Sequence, residues 1–257
     1  MTIPNTSTQP RSRWQVATMA TIGLAIIWNF ITNSFPPTGV TIAQLSNTVF
    51  ANVRIIPANY AFAVWGVIYV GLTAFGIYQL DPRRSDNIQL QQTRPWIIIA
   101  SLCQCAWILL FLYQQMLLSS LVMLGIVWAL TKCYLSLRTT DKSVRQSYPA
   151  WIPNIFSIYL GWISVATIVN IASTFDLWGW RGSPLSPEFW TVLMMVLSVG
   201  LAVLLRHVYA DRAFSGTIIW AIGGIIIANL TSPMIAIGGL VLIAILTFSM
   251  FWRSQAF

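Results

Sequence analysis

The sequence predicts an all-α protein, a polytopic helical bundle that crosses a membrane about eight times. Three observations carry this reading. Apolar residues make up 57% of the 257 and charged residues only 8%, against roughly 25% charged in an ordinary soluble domain. The charge-free runs 14–53, 55–80, 95–131, 146–175, 189–205 and 213–252 are long, and a helix crosses the hydrocarbon layer in about 20 residues. Finally, the basic residues cluster between those runs rather than within them. The composition excludes disorder, which needs low hydrophobicity and many charges. The runs are solidly apolar without alternation, which excludes a transmembrane barrel.

Two runs are too long for one crossing each and carry a turn near the middle, at Gln114-Gln115 and at Thr231-Ser232-Pro233. Run 14–53 holds one crossing and then a loop marked by Asn33-Ser34 and Phe35-Pro36-Pro37. The predicted spans are therefore 14–33, 58–80, 95–113, 116–137, 152–174, 189–207, 214–230 and 234–252. The first follows a basic start, Arg11-Ser12-Arg13, but its apolar stretch is too long for a signal peptide and no A-x-A site follows. It reads as a retained span.

Eight spans put both termini and the loops after spans 2, 4 and 6 on one face. Of the 14 basic residues, 12 then share that face and only Arg54 and Arg181 lie on the other. The positive-inside rule makes the 12-residue face cytoplasmic. The formal net charge of +8 is thus a topology signal and gives no support for nucleic-acid binding.

Ionisable groups at membrane depth usually mark function, and the middles of these spans contain none. All six acids, Asp81, Asp86, Asp141, Asp176, Glu188 and Asp211, fall in loops or at span ends. That argues against a carboxylate proton relay, a carboxylate metal site and an acid/base pair. The single histidine, His207, stands at the end of span 6 and reads as an interfacial side chain. Cys103, Cys105 and Cys133 show neither metal-ligand spacing nor a disulfide framework.

Tryptophan is the compositional outlier, with 13 residues. Trp14, Trp96, Trp151, Trp190 and Trp252 fall at span ends, and Trp178 and Trp180 in the loop after span 5, as an aromatic belt requires. Trp65, Trp107, Trp128, Trp162 and Trp220 fall within spans. Two readings fit these: a pocket for a flat apolar ligand, or packing and lipid contact. Gln104, Ser164, Thr167 and Asn170 add neutral polar groups at depth, either joining helices or orienting a ligand.

Three spans carry a more specific pattern. Residues 160–170 read Leu-Gly-Trp-Ile-Ser-Val-Ala-Thr-Ile-Val-Asn, with Pro153 upstream. Span 2 offers Pro57, Tyr60, Phe62, Trp65 and Tyr69, and span 3 offers Gln104-x-x-Trp107-x-x-x-Phe111. These resemble the motifs of the TspO/MBR family, the tryptophan-rich sensory proteins that include the translocator protein. Trp162, Ala166, Thr167 and Asn170 match the last-helix motif position for position. Ala58, Tyr60 and Gln104 stand where the family has proline, tryptophan and asparagine.

The resemblance covers residues 14–175 as a five-helix core, after a cytoplasmic tail, 1–13. It leaves 176–257 as a three-helix membrane extension. It implies a pocket under the loop 34–57, lined by Tyr60, Trp65, Tyr69, Gln104, Trp107, Phe111, Trp162, Ala166 and Asn170. The implied ligands are tetrapyrroles such as protoporphyrin, or sterol-like lipids. The protein would act as a membrane receptor, sensor or carrier, with no obligatory cofactor and a porphyrin as an optional bound ligand, and the family's tendency to form homodimers extends to it. A transporter of a small apolar solute and an accessory subunit of a membrane complex are the other readings. An enzyme acting on its pigment finds no nucleophile–base pair in the sequence. Gly216, Gly223, Gly224, Ala228, Ala236, Gly238 and Gly239 predict close packing between spans 7 and 8.

Overall fold

A computed structural model describes residues 12–138 and 148–251. The tail up to Arg11, loop residues Asp141, Lys142 and Arg145, and Trp252 and Arg253 lie outside the described residues. Nine α-helices occur among the described residues: α1 (Arg13–Ser34), α2 (Ile42–Thr48), α3 (Val64–Gln79), α4 (Ile88–Leu112), α5 (Met116–Leu137), α6 (Trp151–Leu177), α7 (Pro187–Tyr209), α8 (Arg212–Ala228) and α9 (Pro233–Phe251). A 3-10 turn, Asn59–Ala63, leads into α3. No strand occurs among the described residues.

Among the described residues, seven helices are long and apolar enough to cross a membrane, counting the turn before α3 as part of that span. The seventh of the eight predicted spans became α8, of only 17 residues. At 1.5 Å per residue it is about 25 Å long, short of the roughly 30 Å hydrocarbon layer. It nevertheless runs between the two ends of the bundle. Its start is paired to Arg138 through Asp211, and Asn229, just past its end, bonds the carbonyl of Arg54.

Local chemistry sets the helix ends. Side chains of Ser12, Thr41, Asn87, Ser186 and Asp211 cap α1, α2, α4, α7 and α8 by accepting free first-turn N–H groups. The cap at Asn87 explains why α4 begins seven residues before the predicted 95. Its first two turns are polar rather than apolar, so hydropathy passes over them. They pack into a buried cluster at that end. Arg94 donates to Gln79 Oε1 and to the carbonyls of Ser85 and Arg84, while Gln15 and Gln79 exchange amide bonds with each other's backbone. The turn between α4 and α5 falls at the predicted glutamines, with Gln114 at φ 55°.

Five helices close a ring in the order α1, α3, α6, α5, α4 and back to α1. The α8 helix packs on α6 and on the 3-10 turn, and α7 and α9 pack on α8 and on each other. Outward faces are apolar: Leu197, Leu204, Ile237, Leu240 and Phe248 are all more than half exposed. Lipid is the solvent that covers such a surface. Two of the hydroxyls at depth are satisfied within their own helix: Ser164 and Thr167 bond the carbonyls of Leu160 and Ile163.

The small residues of the last two spans pack in two directions. A Cβ on Gly239 would meet Ile226 of α8 at 2.6 Å, as close α8–α9 packing requires. Gly224 faces elsewhere, and a Cβ there would meet Ala61 and Pro57 of the core at 2.9 Å. The glycine serves the joint between α8 and the ring.

Candidate ligand-binding site

The long loop 34–57 contains a helix. The capping box of Thr41 and Gln44 starts α2, and Leu45, Phe50, Val53 and Ile55 bury their side chains below it. Phe50 meets Phe111 with ring centroids 5.7 Å apart. The loop therefore lies across one end of the ring as a packed lid.

Beneath it is a cavity of ≈ 40 Å³. The ring supplies Trp65 from α3, Trp107 and Phe111 from α4, and Trp162, Ala166 and Asn170 from α6. Phe62 of the 3-10 turn joins them, edge-on to Trp162 at 5.7 Å. The lid contributes Ile42, Ser46, Ile56 and Pro57.

Asn170 is the polar centre of this wall. Its Oδ1 accepts from Trp107 Nε1 at 3.1 Å and from Ser119 Oγ at 3.0 Å. Its Nδ2 donates to Ser120 Oγ at 2.8 Å, and that hydroxyl pairs with Thr174 at 2.9 Å. The network joins α4, α5 and α6. One turn deeper lie buried polar atoms without a partner among the described residues: Tyr69 Oη, both amide atoms of Gln104, and, further down α6, Trp162 Nε1. Tyr69 stacks on Trp65 at 5.3 Å.

A family profile described as TSPO-like protein matches residues 15–252. The chain belongs to this TSPO-like family. No curated protein and no solved structure matches the chain.

The TSPO-like match runs through α7, α8 and α9, beyond residue 175 where the motif resemblance ends. Of the nine residues expected at the site, Trp65, Trp107, Phe111, Trp162, Ala166 and Asn170 meet at the cavity. Tyr69 and Gln104 lie outside its lining, one turn below Trp65 and Trp107. Tyr60 turns away and sets its ring edge-on to Trp220 of α8 at 5.2 Å. Phe62, two residues further on, lines the cavity.

Sequence reasoning missed Val165 and Val169, which also line the cavity. The signal was present: 162, 165, 166, 169 and 170 follow the i, i+3, i+4, i+7, i+8 stripe of one helix face. The lid residues carried no such periodicity. His207 is exposed, with Nδ1 2.9 Å from the carbonyl of Val203, one turn back in α7.

Proposed function

We propose that this protein binds a hydrophobic planar ligand, of the tetrapyrrole or sterol-like class, as a membrane sensor or carrier. The observation that carries the reading is the lidded cavity inside the five-helix ring, where three indoles and two phenyl rings surround one buried carboxamide. Aromatic faces supply the contact area, and the neutral polar groups supply orientation.

The cavity of ≈ 40 Å³ is well below the roughly 300–1,000 Å³ of pockets that hold such ligands. Binding therefore requires the lid to move. Residues 54–58 are tied to α8, since Ala58 N–H donates to the Gly224 carbonyl and Asn229 to that of Arg54. The displacement falls on the stretch through α2. Both termini lie on the cytoplasmic face in this reading, and the lid lies opposite.

Protoporphyrin IX titrated into purified protein should quench tryptophan fluorescence saturably, and Trp107→Phe and Trp162→Phe should each weaken the quenching. Absence of saturable quenching, or quenching unchanged in both variants, would overturn the reading.

A further inference from the structure

The charged residues of the described chain sort to the two ends of the bundle. At the lid end there are four, Arg54, Asp176, Arg181 and Glu188, and all four line one cavity of ≈ 340 Å³. This cavity shares no lining residue with the one inside the ring. Its walls come from three parts of the chain: Ile55 from the lid loop, Ala172 from α6 of the ring, and Trp190 and Met194 from α7. It exists because α7 stands beside the end of α6.

Two of the charges neutralise each other, since Arg181 pairs with Asp176. Arg54 and Glu188 form no ion pair among the described residues. Arg54 is held in place through its backbone, whose carbonyl accepts from Asn229 at 2.8 Å. Two indoles complete the site, Trp180 and Trp190, with ring centroids 5.3 Å apart. Their N–H groups are already used, on the carbonyls of Ser183 and Gly182. What they offer a guest is their π faces, which attract cations.

The lining thus presents one unpaired guanidinium, one unpaired carboxylate, aromatic faces and an apolar wall. The two arginines and two acids sum to zero, so a purely anionic guest meets no net attraction. We propose that this cavity binds a zwitterionic amphiphile. Its phosphate or carboxylate sits on Arg54, its ammonium on Glu188 and the indoles, and its apolar part along Met194 and Ala172. A membrane lipid headgroup and a free solute of the same chemistry are the two sources.

The test uses the full chain purified in a maltoside detergent, with ligand-induced thermal shift as readout. Dihexanoylphosphatidylcholine should bind saturably. Dihexanoylphosphatidylglycerol, which has the same tails and no cation, should bind at least ten-fold more weakly. Arg54→Gln should weaken phosphatidylcholine binding at least ten-fold. Glu188→Gln should also weaken it and should narrow the gap between the two lipids to under three-fold. Among the described residues neither side chain forms an ion pair with another, so the ligand-free melting temperature of both variants should match the parent. Soluble phosphocholine binding as tightly as the lipid identifies a free solute as the source; binding of the lipid alone identifies the membrane. Equal binding of the two lipids by the parent, parent-like binding by both variants, or no saturable binding of any probe would overturn the proposal.

Discussion

Trp107 of α4 and Asn170 of α6 are joined by an indole–carboxamide hydrogen bond of 3.1 Å inside the helix ring. Asn170 is 1% exposed, and its amide also holds Ser119 and Ser120 of α5. One side chain therefore ties three helices together beside the cavity. Asn170→Leu removes the hub and orphans two or three buried partners, each worth about 1–3 kcal/mol when left unpaired. In a membrane protein the lower end of that range applies, because the reference state finds partners too. The melting temperature should drop by several degrees. Ser119→Ala leaves Oδ1 still bonded to Trp107 and should cost less than about 1 kcal/mol. Equal losses from the two substitutions would mean that Asn170 is not the hub.

A second relation fixes α8 to the ring. Arg138, at the end of α5, lies 3.2 Å from Asp211 Oδ2, and it also bonds Ser157 of α6 and the Tyr209 carbonyl. Asp211 Oδ1 accepts from Phe214 N–H at 3.0 Å as the cap of α8. Asp211→Ala loses both the cap, about 0.5–2 kcal/mol, and the partner of a mostly buried guanidinium, for up to about 3–5 kcal/mol in all. Asp211→Asn keeps a capping oxygen and loses only the charge. Stability should fall in the order parent, Asp211→Asn, Asp211→Ala, measured by thermal unfolding in detergent. A parent-like Asp211→Ala would show that the clamp contributes nothing.

How much of this was legible depends on separation along the chain. Every span but the third was read to within a few residues at both ends, because a lipid-facing helix must be apolar along its whole length and its charges stop it at the interface. The Trp162–Asn170 face and Trp107–Phe111 were legible as helical spacings. The beginning of α4 was not, since its polar first turns are tied through Arg94 to Gln79 of α3, which Gln15 of α1 holds in turn. The helix in the lid was hidden in a loop signal. The direction of Tyr60 was set by Trp220, 160 positions away, and no local pattern encodes such a contact.

The same distant contact makes Gly224 a sharp probe. A Cβ at this position would stand 2.9 Å from both Ala61 and Pro57, on the turn that leads from the lid into α3. Gly224→Val should force that turn away from α8, at a cost of about 1–3 kcal/mol for overpacking. It should also raise acrylamide access to the tryptophans of the cavity. A Cβ at Gly216 of the same helix would meet nothing within 4 Å. Gly216→Ala should be neutral, or stabilising by up to about 1 kcal/mol through helix propensity. If the two variants behaved alike in thermal unfolding and quenching, α8 would not be the strut of the lid.

Gln104 separates stability from ligand binding. It is 1% exposed, and neither Nε2 nor Oε1 has a partner among the described residues. Burying a polar amide without hydrogen bonds costs about 1–3 kcal/mol by mutational measures. Methionine has nearly the same length and volume and carries no such penalty, so Gln104→Met should raise the melting temperature of the ligand-free protein. If the amide instead serves a polar group of the ligand, one turn below Trp107, the same substitution should weaken protoporphyrin quenching while the protein becomes more stable. Opposite movement of the two readouts is the signature of a residue kept for binding. A Gln104→Met protein that was less stable and bound as before would place the amide in the structural network, beside Asn170.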